Sequence, residues 1–200
     1  MKLTKEQLGN VLWILVIILI VFTPVGFHVR VFVGKLFATS ADVVKTEKQQ
    51  TLANYNWQLM DLEGNQTNLE SNKGEVLLVN LWATWCPPCV AELPSIAKLY
   101  QDYGEKVKFV LVTSESQEKV MKFLQKKEYD LPVYFERSQV PYELRSGSIP
   151  ATYIINKSGK IVVDEKGAAN WNSESIRDLL DQLLLEKETL MSPRAQSRGE

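Results

Sequence analysis

Two cysteines carry the clearest chemistry in the chain. Cys86 and Cys89 stand two residues apart in Trp-Cys-Pro-Pro-Cys, between an apolar run that ends at Trp82 and a predicted helix that begins near Pro87. Two thiols at this spacing can approach within disulfide distance. The start of a helix presents unpaired N–H groups and about half a positive charge, which favours a thiolate. We therefore expect Cys86 to be an acidic thiol, with a pKa below that of a free cysteine.

Other interpretations of the pair are half of a zinc site and two structural thiols. A zinc site needs two more ligands, and the one imidazole of the chain is His28. A c-type haem attachment needs a histidine directly after the second cysteine, where Val90 stands. Structural thiols are rarely found in this arrangement between a strand and a helix. We therefore predict no metal and no cofactor.

The elements that must position the motif alternate between strand and helix. A mixed sheet flanked by helices, an α/β fold, is expected from the order β-β-β-α-β-α-β-β-β-α. Ser114 and Gln117 fit a capping box at the second helix, and Ser173 fits the N-cap of the third. The predicted strands are 56–60, 66–69, 75–82, 107–113, 131–135, 151–156 and 160–164, of which the first two and the last two form hairpins.

The N-terminal region differs from the rest of the chain. No charged residue occurs in the 23 positions from Gln7 to Val29, and Val11–Phe22 is apolar without a break. Such a run fits a membrane anchor, a cleaved signal peptide or a buried core helix. It lacks the polar stripe of a core helix and is followed by a poor cleavage site. We therefore predict one transmembrane helix, residues 10–29, after a flank of residues 1–9.

The rest of the chain divides into three predicted parts. A juxtamembrane segment and tether cover 30–52, a folded domain covers 53–187 and a flexible tail covers 188–200. Within the first part, Val29–Phe37 is amphipathic and either lies at the membrane surface or extends the anchor as a helix. The polar stretch Ala38–Thr51 is the tether itself. Lysine and arginine flank the apolar run on both sides, so their distribution does not favour an N-terminus inside the cell.

Composition excludes several classes of protein. The apolar fraction is 45% and the charged fraction 24%, as in ordinary globular proteins. A formal net charge of −1 gives no field that would attract nucleic acid. Two cysteines are too few for a disulfide-dense scaffold.

The segment Val79–Pro94, which contains Trp-Cys-Pro-Pro-Cys, resembles the active-site segment of the thioredoxin superfamily. In particular it resembles the membrane-anchored, extracytoplasmic TlpA/ResA-like thiol–disulfide oxidoreductases. The resemblance covers about Tyr55 to Leu185. It implies a thioredoxin-like fold with an extra N-terminal β-hairpin, preceded by one transmembrane helix. It also implies a redox-active Cys86–Cys89 disulfide, with Cys86 the exposed nucleophile and Cys89 the resolving cysteine.

Other positions match the same family. Pro150 matches its cis-proline facing the two sulfurs, although the residues alone would also allow a proline that starts a strand in trans. Pro94 matches a proline that kinks the active-site helix, and its alternative is a helix that ends at Leu93. Trp85 and Ile149 are predicted to contact the substrate, and the alternative for Trp85 is another core aromatic.

Two positions differ from ordinary thioredoxin. Asn80 stands where thioredoxin has a buried aspartate, and an asparagine accepts no proton. Glu92 follows Cys89 by three residues and so shares its helix face. In the TlpA/ResA-like proteins a glutamate at this spacing lies near the cysteine pair. Glu92 is therefore either a buried proton acceptor for Cys89 or an exposed surface glutamate.

The resemblance implies a protein-disulfide reductase in the cytoplasmic (inner) membrane. Its soluble domain would face the periplasm or extracytoplasmic side, and its partners would be protein thiols or disulfides, such as those of apocytochrome c during cytochrome c maturation. The bilayer and a membrane electron donor of the DsbD/CcdA type would be further partners. Alternatives on the same fold are a thiol oxidase, because the motif does not set the direction of electron flow, a peroxidase, and a redox-inert binding or copper-delivery module.

Overall fold

The structure, a computed structural model, describes residues 5–22, 24–37 and 49–186. The predicted tail 188–200 and most of the tether lie outside the described residues. Two helices come first, α1 (Lys5–Phe22) and α2 (Pro24–Phe37), so the uncharged run is divided between them. The apolar side chains from Val11 to Ile17 on α1 are exposed. In the described residues no helix has the length and apolar character needed to cross a membrane.

Within the described residues, seven strands form one mixed sheet in the order β2-β1-β5-β4-β3-β6-β7. The pairs β3–β4 and β4–β5 are parallel and the other pairs are antiparallel. The predicted mixed sheet, with its N-terminal and C-terminal hairpins, is therefore confirmed. The strands are β1 (Gln58–Met60), β2 (Gln66–Asn68), β3 (Leu77–Leu81), β4 (Lys108–Thr113), β5 (Val133–Glu136), β6 (Ala151–Ile155) and β7 (Ile161–Lys166).

Three more helices follow the predicted order: α3 (Pro87–Tyr103), α4 (Gln117–Lys127) and α5 (Glu174–Leu185). All three contribute to one hydrophobic cluster, and a second cluster is built largely from the strands and the residues before them. The clusters alternate along the buried strands: Leu78 of β3 belongs to the first, and Leu77 and Val79 belong to the second. This period of two places the clusters on opposite faces of the sheet.

Of the two predicted helix starts, the capping box at the second helix is wrong, and Ser173 as the N-cap of the third is confirmed by position. Helix α4 begins at Gln117 after Ser116, and the Gln117 side-chain amide donates to the Leu62 carbonyl at 2.6 Å, so the capping box from Ser114 does not form. Ser173 is the N-cap of α5, but its hydroxyl lies 3.1 Å from that of Ser175 and makes no capping bond. The Gln117 side chain thus bonds a backbone carbonyl of a distant loop, and the Ser173 hydroxyl bonds a neighbouring side chain, instead of the backbone at the helix end.

The end of the predicted tether is part of the folded domain. The Leu52 N–H donates to the Gly159 carbonyl at 2.8 Å, and the Ile161 N–H donates to the Gln50 carbonyl at 2.8 Å. Thr51 forms an isolated antiparallel bridge with Lys160. Backbone pairing with the turn between β6 and β7, together with the buried Leu52 side chain, therefore joins this segment to the domain.

Helix α2 packs against α3, the helix that follows Cys86. Every residue from Cys89 to Leu93 is buried. Five consecutive residues point around the whole helix, so α3 must be covered on more than one side here. Val90 and Ala91 are 5% exposed, yet within the described residues they belong to neither hydrophobic cluster. A Cβ built on Gly34 of α2 would lie 3.2 Å from the Cβ of Ala91. Helix α2 thus approaches the outer face of α3 closely at a pair of small residues.

Candidate active site

The two cysteines lie at the beginning of α3. Cys86 is the N-cap residue, and Pro87 and Pro88 occupy the first turn, where a missing N–H costs no helix bond. The cysteines form a disulfide with a Cα–Cα distance of 5.3 Å. The Cys89 N–H points at the Cys86 sulfur, 3.3 Å away. A hydrogen bond from this N–H, together with the helix N-terminus, would stabilise a Cys86 thiolate once the disulfide is reduced.

The exposure expected for Cys86 is not present in this disulfide form. Cys86 is 3% exposed and Cys89 is 0% exposed. The loop before β6 accounts for the covering, because the Ile149 carbonyl oxygen lies 3.8 Å from the Cys86 sulfur. Cys86 remains the more exposed of the two residues by a small margin.

The Ile149–Pro150 peptide bond is cis. It directly precedes β6, and its position is held by the Gly167 N–H, which donates to the Pro150 carbonyl at 2.9 Å. The same loop carries the Ile149 carbonyl that lies beside Cys86. The structure therefore brings Pro150 and Ile149 to the dithiol from a position more than 60 residues away in sequence.

Trp85 is 60% exposed, so it is not a core aromatic. With the half-buried Ile149 it lines a cleft of about 470 Å³ beside the disulfide. Arg145 and Glu136 also line the cleft, and burial raises the pKa of the Glu136 carboxyl. The cleft thus offers both apolar and charged side chains to a partner that reaches the disulfide.

Glu115 fixes the residues that precede the disulfide, a function that no sequence pattern indicated. Its carboxylate accepts the Thr84 N–H at 2.5 Å and the Thr84 hydroxyl at 3.0 Å, and it pairs with Lys119. Thr84 is followed directly by Trp85 and Cys86. Glu115 is thereby a support for the turn that presents them.

Glu92 is 1% exposed, which excludes the exposed surface glutamate. Its Oε1 accepts a hydrogen bond from Asn80 Nδ2 at 2.8 Å, and its Oε2 accepts one from Trp171 Nε1 at 2.9 Å and one from the Ala169 N–H at 3.4 Å. Burial raises the pKa of Glu92 to about 7, against the lowering effect of these hydrogen bonds. This buried carboxyl, one helical turn after Cys89, can therefore gain or lose a proton near neutral pH.

Asn80 connects Glu92 to the sheet. Its Nδ2 also donates to the Thr152 hydroxyl at 2.7 Å, and the two residues are register partners in β3 and β6. Its Oδ1 is buried without a hydrogen-bond partner among the described residues. Asn80 thus acts as a hydrogen-bond donor to the glutamate, on the face of the sheet that α3 covers.

Trp171, like Glu115, is a residue of the site that the sequence did not indicate. It is fully buried and lies between β7 and α5, and its indole reaches Glu92 across 79 positions of sequence. No spacing rule connects a tryptophan in a loop with a carboxylate so distant.

Within the described residues, no group of three or more His, Cys, Asp or Glu side chains is arranged to hold a metal ion.

The chain is similar in sequence to a known protein family over most of its folded domain. The sequence profile of the Redoxin family matches residues 42–183. ResA, a thiol–disulfide oxidoreductase of Bacillus cereus, is 32% identical over 132 residues, which cover 64% of this chain and 75% of that protein. The chain belongs to the redoxin family and is a TlpA/ResA-like member of the thioredoxin superfamily.

Two further proteins show how far the similarity extends. The thioredoxin-like protein YneN of Bacillus subtilis is 34% identical over 107 residues, which cover 52% of this chain and 63% of YneN, less than two thirds of its length. The crystal structure of StoA from Bacillus subtilis superposes with a TM-score of 0.51 at 25% identity, covering 64% of this chain and 97% of StoA. The thioredoxin-like fold expected from the sequence is thereby confirmed.

Proposed function

We propose that the protein is a thiol–disulfide oxidoreductase that reduces disulfides in other proteins. The observation that carries the proposal is the Cys86–Cys89 disulfide at the start of α3, beside the cis peptide bond before Pro150. The name thiol–disulfide oxidoreductase, which ResA relatives carry, supports it. The exposed Trp85 and the cleft beside it supply a surface for a protein substrate.

The chemistry is a pair of thiol–disulfide exchanges. In the reduced protein the Cys86 thiolate attacks one sulfur of a substrate disulfide, forms a mixed disulfide and expels the other substrate sulfur as a thiolate. Cys89 then loses its proton and attacks the Cys86 sulfur, which releases the second substrate thiolate. Two electrons pass to the substrate, and the Cys86–Cys89 disulfide is restored.

Glu92 is the proton acceptor of the second exchange in this proposal. Cys89 is fully buried, so its proton has no direct route to water. Glu92 is buried one turn further along α3, and its pKa of about 7 suits transfer near neutral pH. Asn80 cannot replace it, because a side-chain amide accepts no proton.

The location and partners form a further part of the proposal. The uncharged run Gln7–Val29 and the exposed apolar side chains of α1 support a membrane anchor with the redoxin domain on the extracytoplasmic side. Outside the cytoplasm a reductase needs a membrane electron donor to reduce its disulfide back to two thiols. We propose that a protein of the DsbD/CcdA type supplies these electrons. Cysteines of apocytochrome c before haem attachment are the proposed substrate.

Turnover and redox potential test the proposed activity together. We expect the full chain to catalyse insulin reduction by dithiothreitol, and Cys86→Ser to abolish that catalysis. In glutathione buffers we expect a reducing potential, near the value of about −270 mV known for thioredoxin. Absence of turnover would favour a redox-inert module, and a potential near about −120 mV would favour an oxidase.

A further inference from the structure

The indole N–H of Trp171 has a hydrogen-bond partner, which the other two buried indoles of the described residues lack. Trp171 Nε1 donates to Glu92 Oε2 at 2.9 Å. The indole N–H groups of Trp57 and Trp82 are also buried, but neither has a hydrogen-bond partner among the described residues. Filling the core therefore does not by itself require a paired indole in this fold, and the bond to Glu92 is a specific feature of Trp171.

The backbone around Trp171 fixes the direction of that bond. The Trp171 N–H donates to the Ser95 hydroxyl at 3.1 Å, and that hydroxyl donates to the Glu92 carbonyl at 2.7 Å. The Ala169 N–H approaches the same carboxylate oxygen as the indole, at 3.4 Å. The segment between β7 and α5 is thus bound to α3 directly at the Glu92 side chain and at the Ser95 hydroxyl, so the indole has little freedom to move away.

We infer that Trp171 is a positioning residue, which holds the Glu92 carboxylate in the orientation that receives the proton of Cys89. The inference rests on the proposed function and adds a residue to it. Trp171 touches neither sulfur in this account and acts through Glu92. It favours the ionised carboxylate, because an N–H donor stabilises a charged oxygen more than a neutral one.

The groups around Glu92 determine how its titration responds. Glu165 on β7 is a charged neighbour that raises the pKa of Glu92, and the dithiol lies on the same helix. The neighbours from β3 and β6, Asn80 and Thr152, do not titrate. Burial and Glu165 raise the pKa of Glu92, and the hydrogen bond from Trp171 lowers it. Loss of that hydrogen bond should therefore raise the pKa of the carboxyl further.

The experiment follows the resolution step in the full chain. Reduced protein is treated with Ellman's reagent to place thionitrobenzoate on Cys86, and its release by Cys89 is measured from pH 5 to 9. In Trp171→Phe we expect the inflection point of the plot of release rate against pH to move up by about one pH unit. The rate at pH 7 should fall about five- to tenfold, and at pH 9 it should approach that of the unchanged protein.

Trp57→Phe is the matched control, because it removes a buried indole N–H that has no partner. We expect its inflection to stay in place. Replacement of Trp171 by 3-benzothienylalanine keeps the ring size, removes only the N–H and should reproduce the shift even if Trp171→Phe folds poorly. Equal behaviour of the Trp171 and Trp57 variants would overturn the inference in favour of simple core packing.

Glu92→Gln separates this inference from the proposed function. If Trp171 acts through Glu92, adding Trp171→Phe to Glu92→Gln should cause no further change in the pH profile. If Glu92→Gln removes the inflection while both changes at Trp171 leave it in place, the inference fails and the proton acceptor stands. If Glu92→Gln itself leaves the pH profile unchanged, Glu92 is not the proton acceptor. The acceptor role of Glu92 and the positioning role of Trp171 then both fail.

Discussion

Cys86 and Cys89 differ in surroundings although they share one disulfide. Both cysteines belong to the hydrophobic cluster that α3 covers, but the Cys86 sulfur also faces the Cys89 N–H at the helix start, while Cys89 is the more deeply buried of the two. A helix N-terminus favours a thiolate, and an apolar site disfavours it. The two thiols of the reduced protein should therefore differ in acidity and in reactivity.

Alkylation rates test this difference directly. In the single-cysteine variants Cys89→Ser and Cys86→Ser, we expect the remaining Cys86 to react faster with iodoacetamide at pH 7 than the remaining Cys89. Its rate should also reach half of its maximum at a lower pH, because only the thiolate reacts. Faster reaction of Cys89 would show that the two roles are reversed.

The local part of the site could be predicted from sequence, and the distant part could not. Cys86, Cys89 and Glu92 share one helix, so their spacing alone placed them on it. The cis bond at Pro150 required the family resemblance, because most peptide bonds before proline are trans. Trp171 had no signal, because its contact with Glu92 depends on how the segment after β7 folds back onto α3.

At the scale of elements, the contact between α2 and α3 connects the N-terminal region to the active-site helix. The order of strands and helices followed from apolar periodicity, because buried strands and amphipathic helices differ in period. The covering of Ala91 by a helix that begins at Pro24 did not follow from periodicity. A buried residue outside the stripe of its own helix is explained only by tertiary contact.

A cross-link tests the contact between these helices. In a Cys86→Ser and Cys89→Ser background, we expect Gly34→Cys and Ala91→Cys to form an intramolecular disulfide on oxidation. The built Cβ–Cβ distance of 3.2 Å needs only a slight widening to reach the usual range of about 3.5–4.5 Å. Peptide mapping by mass spectrometry detects the bond.

The control for this cross-link uses a position on the exposed side of α2. Phe32 is 63% exposed, so Phe32→Cys with Ala91→Cys should stay reduced within one molecule under the same conditions. Equal cross-linking of both pairs, or of neither, would contradict the packing of α2 on α3.

At the scale of the whole molecule, the buried Glu92 makes stability depend on pH. Its pKa is about 7 in the folded protein and near the ordinary value of 4.5 when exposed by unfolding. Between these values the folded state binds more protons than the unfolded state, so stability is full below about pH 4.5 and falls as pH rises towards 7. One carboxyl with this difference contributes a loss of about 3 kcal/mol.

Urea unfolding of the oxidised protein at several pH values measures this effect. Between pH 4.5 and 7 we expect the free energy of unfolding of the unchanged protein to fall by about 3 kcal/mol relative to that of Glu92→Gln. Altered hydrogen bonds in Glu92→Gln add a difference in stability that is the same at every pH, so they do not affect this change with pH. A difference that stays the same across the range would show that Glu92 titrates normally.

Trapping with Cys89→Ala tests the central claim, that Cys86 attacks protein disulfides and Cys89 completes the exchange. The reduced variant is mixed with an oxidised disulfide-containing protein, and the products are separated without reductant and mapped by mass spectrometry. We expect a stable mixed disulfide at Cys86 in this variant, and its resolution within the same time when Cys89 is present. No adduct with Cys89→Ala, or one that persists equally when Cys89 is present, would contradict it.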